Sequence, residues 1–395
     1  MRKIVRNLVA GTGVLALTLS LAGTASYAAG HQVSKPTLTG WAALPAGTFV
    51  PGSEQSGALV TGNLNGFTAP FADQPIQGFS GIADNGDGTF DVLSDNGYGN
   101  QANSGDFLLR VQRLAPVFRT GQVDVLGGVN LTDPDKLIPW ALTRPDRVLT
   151  GADFDPESIQ KRPDGSFWIG DEFGPYLLHF DRAGRLLDAP VALDGVTAPE
   201  TAARTGATAT ARSSKGFEGL AQSPDGRYLY ALLEGSITGD PAGALRLNEF
   251  DLRAKKYTGK RWTYQLDNPD FAIGDAIAVD RNRFLIIERD NGQGATAVVK
   301  KIYLATRRGD RLDKTLLVDL MNVANPRRVG GFGPTFTFPF QTIEDVVILD
   351  DRTIAVLNDN NFPFSTGRSA TAADNNEWIT IALPKSLDAD ERLLK

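Results

Sequence analysis

The chain is predicted to be all-β, a β-propeller of five recognisable four-stranded repeats whose ring is closed by an N-terminal strand. Three observations predict it. A short unit recurs five times, opening as GFSGIAD, DPESIQK, GFEGLAQ, IGDAIAV and TIEDVVI, which aligns Ser80, Glu157, Glu218, Asp275 and Glu344 as anchors. The anchors stand 57 to 77 residues apart, a period that points to a radial array of small sheets. Helical periodicity is almost absent, and the runs between turn signals are short, β-branched and aromatic, as strands are.

Every unit reads in the same order. Two residues past the anchor stands an aliphatic residue, Ile82, Ile159, Leu220, Ile277 or Val346, expected on the anchor's own face because strand side chains alternate. A turn follows, at Asp84 to Gly88, Pro163 to Gly165, Pro224 to Gly226, Asp280 to Arg283 and Asp350 to Arg352, built from residues that tolerate or pre-set turn dihedrals. The DNGDG run at Asp84 resembles half of a cation-binding loop, but its spacing fails and it is read as a turn. Second strands (FDVL, SFWI, YLYALL, RFLII, TIAVL) then run into polar knots: SDNGYG from Ser94, GDEFGPY from Gly170, EGS from Glu234, ERDNGQG from Glu288 and NDNNFPF from Asn358. Anchor and knot are a hairpin's length apart, so both are expected on one face of the fold. Third strands read as FLLRVQR from Phe107, YLLHFD, ALRLNEFD, KKIYLA and EWITIAL, and fourth strands as GQVDVLGGV, KRWTYQL and KTLLVDL. The last unit runs out after its third strand. The early segment LTGWAALPAGTF supplies the missing one and leaves no open edge. Five blades are counted, with a sixth, diverged blade as the alternative.

Residues 1–28 read as a secretory signal peptide: Arg2, Lys3 and Arg6, an apolar stretch from Leu8 to Ala22, and a small-residue site at Ser26-Tyr27-Ala28. That stretch is too short and interrupted for a stable membrane span. The expectation is a secreted, periplasmic or cell-surface monomer in which residues 29–395 form one domain. Within it, 190–214 is rich in Ala, Thr and Gly and reads as a flexible insertion leading onto the polar face, either a tolerated excursion or a lid. Removing the signal's three bases moves the net charge from −6 to −9, which argues against nucleic acid as a partner. A phosphorylated substrate would be repelled unless bound cations invert the local field. With no cysteine, disulfides, thiol nucleophiles and thiolate metal sites are excluded.

The chain has no GxSxG elbow, HExxH, P-loop or dinucleotide fingerprint. Of its two histidines, His31 lies near the mature terminus and His179 sits inside a third strand, which disfavours a Ser-His-Asp triad. What remains is oxygen. Four anchors are carboxylates, and the knots add Asp95, Asn96, Asp171, Glu172, Glu234, Glu288, Asp290, Asn358, Asp359 and Asn360. Confined around one axis, such acids must take up protons, pair with bases or bind a cation. Oxygen donors without His or Cys favour Ca2+, with Mg2+ as the alternative. The candidate ligands are Glu157, Asp171, Glu172, Glu218, Glu234, Asp275, Glu288, Glu344 and Asp359. Against this stands a plain structural role, in which each anchor accepts backbone N–H groups of a neighbouring blade. Lys215 and Arg289, with Arg144 and Arg147 further off, are the bases near the polar face; each is either a phosphate clamp or a simple counter-ion.

GFSGIAD with SDNGYG, then DPESI…PDGSFWIGDEFGPYLLHFDRAGRLL, then KGFEGLAQSPDG, resembles the secreted bacterial proteins grouped as esterase-like activity of phytase, the phytase-like domain, over about residues 75 to 385. The resemblance implies a propeller with phosphoesterase or esterase activity, and its motif residues fall here on Glu157, Asp171, Glu172, Glu218 and Glu344. Ser80 departs from the acid of the other repeats, which implies an asymmetric site. The leading expectation is a calcium-dependent hydrolase of phosphate esters, with Glu218 and Glu157 as ligand or base and Lys215 and Arg289 as clamps. The alternatives are a carboxylic-ester or lactone hydrolase using the same cation, and a non-enzymatic binding propeller that calcium only stiffens.

Overall fold

The computed structural model describes residues 33–394; the expected signal peptide and its cleavage site lie outside the described residues. The chain first lays down β1 (Thr37–Leu44) and then builds five antiparallel units in sequence order. Blade one is β2 (Phe79–Asp84), β3 (Phe90–Ser94), β4 (Arg110–Val117) and β5 (Gln122–Asn130). Blade two is β6 (Pro156–Lys161), β7 (Phe167–Asp171), β8 (Tyr176–Phe180) and a two-residue β9 (Val191–Ala192), followed by helix α1 (Pro199–Thr205). Blade three is β10 (Phe217–Gln222), β11 (Tyr228–Leu233), β12 (Ala244–Asp251) and β13 (Lys256–Gln265). Blade four is β14 (Ala272–Ala278), β15 (Arg283–Arg289), β16 (Lys300–Arg308) and β17 (Arg311–Asp319). A small β18 (Val323–Ala324) and β19 (Thr335–Phe336) ribbon leads into blade five, β20 (Asp345–Asp350), β21 (Thr353–Leu357) and β22 (Asn376–Ala382).

Blade five takes its fourth strand from the other end of the chain: β1 pairs antiparallel with β22, from Thr37 opposite Ala382 to Leu44 opposite Asn376. The first strands touch in the cyclic order β2, β6, β10, β14, β20 and back to β2, so the wheel has five blades and closes by strand exchange between its termini. A diverged sixth blade is not needed.

Second strands read as continuous apolar runs because both their faces are buried between blades. In β11, Leu229, Ala231 and Leu233 pack with Trp168 and Leu177 of blade two, while Tyr230 and Leu232 pack with Phe284 and Ile286 of blade four. In β15 the alternate residues Leu285 and Ile287 face Val346 and Val356 of blade five. The core is thus a set of apolar wedges, one per blade interface, produced by period-2 alternation.

Local departures have local causes. The third strand of blade one begins at Arg110 rather than Phe107. The 190–214 segment carries both β9 and α1, and Leu193, Val196 and Ala198 within it are buried. The helix starts with Pro at its first turn and ends on Gly206 at φ 72°, the positions where each residue fits a helix end best. It is docked by Thr201, whose hydroxyl donates to the Phe173 carbonyl at 2.8 Å. His179 stays structural, bonded through Nδ1 to Asp188 at 2.7 Å and stacked on Trp168 with centroids 4.4 Å apart.

Candidate functional site

The anchors owe their convergence to a β-bulge. In the first hairpin of blades one, two and three, the pairing register shifts between Phe79 and Gly81, Pro156 and Ser158, and Phe217 and Gly219. Ser80, Glu157 and Glu218 are therefore extra residues, left out of the ladder; such a bulge re-aims a side chain and ends regular pairing. In blade five Glu344 stands immediately before β20, its amide on the Leu357 carbonyl at 3.3 Å. In blades one and three the residue after the anchor, Gly81 or Gly219, lies close against the next blade's first strand. A Cβ on Gly219 would lie 2.6 Å from the Ala276 Cβ and 2.7 Å from its amide nitrogen. Small residues there keep the inner strands close and the channel narrow.

Blade four breaks the series by one residue. Its bulge lies between Ile273 and Asp275, so Gly274 holds the anchor position and Asp275 holds the position of Gly219. Asp275 accepts the amides of Ala276 at 2.7 Å and of Val346 in blade five at 3.0 Å, stitching two blades together. Burial pushes its carboxyl up to about 7. The same slip moves the knot: Glu288 pairs with Ile273 as Leu233 pairs with Phe217, so Arg289, not Glu288, takes the place of Glu234. Glu288 turns outward, accepting from Tyr264 at 2.7 Å, the Asp267 amide at 2.7 Å and Lys314 at 2.5 Å.

The remaining anchors and knots meet. Ligand oxygens lie within 4.8 Å of one another in three groups: Asp155, Glu157 and Glu172; Glu157, Glu218 and Glu344; Glu172, Glu218 and Glu234. Glu157, Glu172 and Glu218 form a central triangle, since each pair of them recurs in one group, and Asp155, Glu344 and Glu234 each cap one edge. All six are buried. Among the described residues, nothing donates a hydrogen bond to Glu172 Oε1 or Glu218 Oε1.

Two bases stand on one side of this triangle. Arg289 reaches Glu234 at 3.3 Å and Glu344 at 3.2 Å, and Lys215 pairs with Glu234. Burial alone would lower both bases, but Glu234 together with Glu344 for Arg289, and with Glu172 for Lys215, holds them above their ordinary values. Glu344 also accepts from Ser80 Oγ at 3.0 Å, which gives the serine anchor of blade one its task. Arg144 and Arg147 are engaged elsewhere, with Glu54 and Asp146 and with Asp133.

Burial raises every acid of the triangle well above the carboxylate range, and like charges add to it: Asp155 beside Glu157, Glu234 beside Glu172 and Glu218. Glu344 is pushed up to about 8 by burial and Asp359. Without a counter-charge such a site holds protons. Asp171 serves from behind, accepting the amides of Asp155 at 2.8 Å and Gly174 at 2.7 Å. Asp359 accepts from Asn361 at 2.6 Å and Thr342 at 3.0 Å at the edge of the cluster.

Asp155 is the site residue that reading the anchors alone misses. Its signal was present: it stands two residues before Glu157 in DPESI. The donor set is all oxygen, buried and partly unpartnered, which fits a hard cation such as Ca2+. At the other end of the first strands a cavity of about 110 Å3 has a mixed lining, with Ile82, Ile159, Ile277 and Val346 beside Lys161 and Arg392.

The model of the family described as phytase-like, esterase-like activity of phytase, matches residues 74–362. An uncharacterized secreted protein of Arthroderma benhamiae is 33% identical over 104 residues, 22% of this chain and 20% of that protein. The match thus spans about a fifth of that relative's length. Among solved structures, the periplasmic gluconolactonase of Pseudomonas aeruginosa aligns at TM-score 0.34 and 13% identity, over 78% of this chain and 74% of that one. The PQQ-bound aldose sugar dehydrogenase of Streptomyces coelicolor aligns at 0.35 and 10%, over 77% and 94%, and the Dos1 propeller at 0.33 and 10%, over 80% and 69%. At such scores the five-bladed ring rests on its own strand pairing.

Proposed function

This chain belongs to the esterase-like activity of phytase family, and from that premise we propose that it is an exported hydrolase of phosphate esters that works with a divalent cation, calcium first. One observation carries the proposal: six buried acids converge, two of them, Glu172 and Glu218, each with an oxygen that no donor among the described residues satisfies, and only Lys215 and Arg289 form ion pairs with the cluster. Glu157, Glu172 and Glu218 are the residues that would hold the cation, with Asp155 and Glu344 at their edges. Held there, a cation would offset the substrate's charge and polarise a phosphoryl oxygen. Lys215, the more exposed base, orients the phosphoryl group, and Arg289 stands behind it as the shared ion-pair partner of Glu234 and Glu344. A triangle carboxylate would accept a proton from the attacking water as the new P–O bond forms, and would return that proton to the leaving oxygen as the ester P–O bond breaks.

A test is release of inorganic phosphate from phytate and from p-nitrophenyl phosphate in calcium and in chelator. Calcium-dependent release supports the proposal; no release from either ester in calcium refutes it. A second reading has its own support. Both bases are already paired with Glu234 or Glu344, which leaves little positive charge for a phosphate and suits a neutral carboxylic ester or lactone. Turnover of p-nitrophenyl butyrate or a gluconolactone without phosphate release selects that reading.

A further inference from the structure

We infer that the site seats two divalent cations rather than one, bridged by Glu157. The inference rests on the cation-dependent reading above and deepens it.

Register fixes which residues line the mouth. The anchor positions of the five blades are Ser80, Glu157, Glu218, Gly274 and Glu344, the last standing just before β20, and the positions in equivalent register at the ends of the second strands are Asp95, Glu172, Glu234, Arg289 and Asp359. With Asp155 this ring carries eight acids, and Arg289 and Lys215 are its two bases, a formal charge of −6. Each of these acids that ionises needs a counter-charge in a buried, low-dielectric site, and a second divalent cation would supply two where protons otherwise must.

The bases are not spread evenly. Glu234 is held by Lys215 and Arg289, and Glu344 by Arg289, whereas among the described residues no ion pair reaches Asp155, Glu157, Glu172 or Glu218. The group of Asp155, Glu157 and Glu172 therefore has, among the described residues, no base within ion-pair distance, and Glu172 contributes an unpartnered oxygen to it. That is the first seat. The second unpartnered oxygen belongs to Glu218, which shares two groups. In one of them Glu234 is already met by two bases; in the other, with Glu157 and Glu344, a single guanidinium is shared. The Glu157, Glu218 and Glu344 group is thus the less compensated and forms the second seat. Glu157 is common to both seats. A carboxylate has two oxygens, so it can bridge two hard cations that share it.

The experiment titrates calcium alone into chelator-stripped, full-length protein by calorimetry, with the ion content checked by elemental analysis after dialysis. Two ions per chain are expected, falling to one in Asp155→Asn and to none in Glu157→Gln, with each variant's fold checked by circular dichroism. One ion in the unaltered protein overturns this inference and leaves the single-cation reading standing. None overturns both. Should Glu157→Gln fail to fold, the count in the unaltered protein and in Asp155→Asn still decides.

Discussion

In chelator, raising the pH from about 4 to 8 should strip several kcal/mol from the protein's stability. Burial raises Asp171 and Asp275 from 3.8 to about 7 and Glu344 from 4.5 to about 8. Between the unfolded and folded values the native state holds protons that the unfolded chain has released, so stability falls as pH rises. The contribution is whole below about pH 4 and is lost as pH climbs through about 7 to 8. One pKa unit is about 1.4 kcal/mol, so a single acid moved from 3.8 to about 7 accounts for about 4 kcal/mol. If calcium occupies the ionised native site as proposed, it should offset part of the loss at pH 8, by about 2.7 kcal/mol at one hundred times its Kd. Urea unfolding at pH 5 and pH 8, each with chelator and with calcium, measures all four states. Equal stability at the two pH values in chelator would show that these acids are not held protonated in the native state, and the reasoning from burial would be refuted.

Three substitutions probe the framework. Gly219→Ala puts a methyl 2.6 Å from the Ala276 Cβ; it should cost about 1–3 kcal/mol in urea unfolding by forcing blades three and four apart, and an unchanged midpoint would contradict the close-packed ring. Asp345 is buried with both oxygens unpartnered at the position where blade two has Ser158. Asp345→Ser should therefore stabilise the protein by about 1–3 kcal/mol, seen as a higher Tm, and a lower Tm would argue for an unseen partner. Arg289→Met leaves Glu234 and Glu344 without their shared counter-ion and should cost about 3–5 kcal/mol in chelator; if the loss is under about 1 kcal/mol, the guanidinium is not the buried counter-ion assigned to it.

Much of this was legible in the chain. The repeat period, the hairpin length and the orphan strand near the start suffice for a wheel closed by its own N-terminal strand, because each follows from strand alternation and from the cost of an open edge. Blade four shows where such reading slips. IGDAIAV places an acid beside a glycine, and alignment by residue type puts Asp275 on the anchor, whereas the backbone spends its extra residue on Gly274. A bulge is a property of the pairing, so nothing in a single strand's composition marks it. That one slip carries Asp275 and Glu288 out of the site and Arg289 into it. Asp155 was hidden for the opposite reason: the repeat drew attention to the shared register, and only blade two has an acid two residues before the anchor. Helix α1 lies in a stretch poor in large apolar residues, with only Pro199 and Gly206 to mark its ends.

The most direct test of the central claim is a crystal soaked with calcium and phosphate, with the ion located by its anomalous signal. Density for an ion at 2.3–2.6 Å, the usual calcium–oxygen range, from oxygens of Glu157, Glu172 and Glu218 is the predicted result. A crystal saturated with calcium that holds the ion only on peripheral loops, with those three carboxyls still protonated against one another, would contradict it.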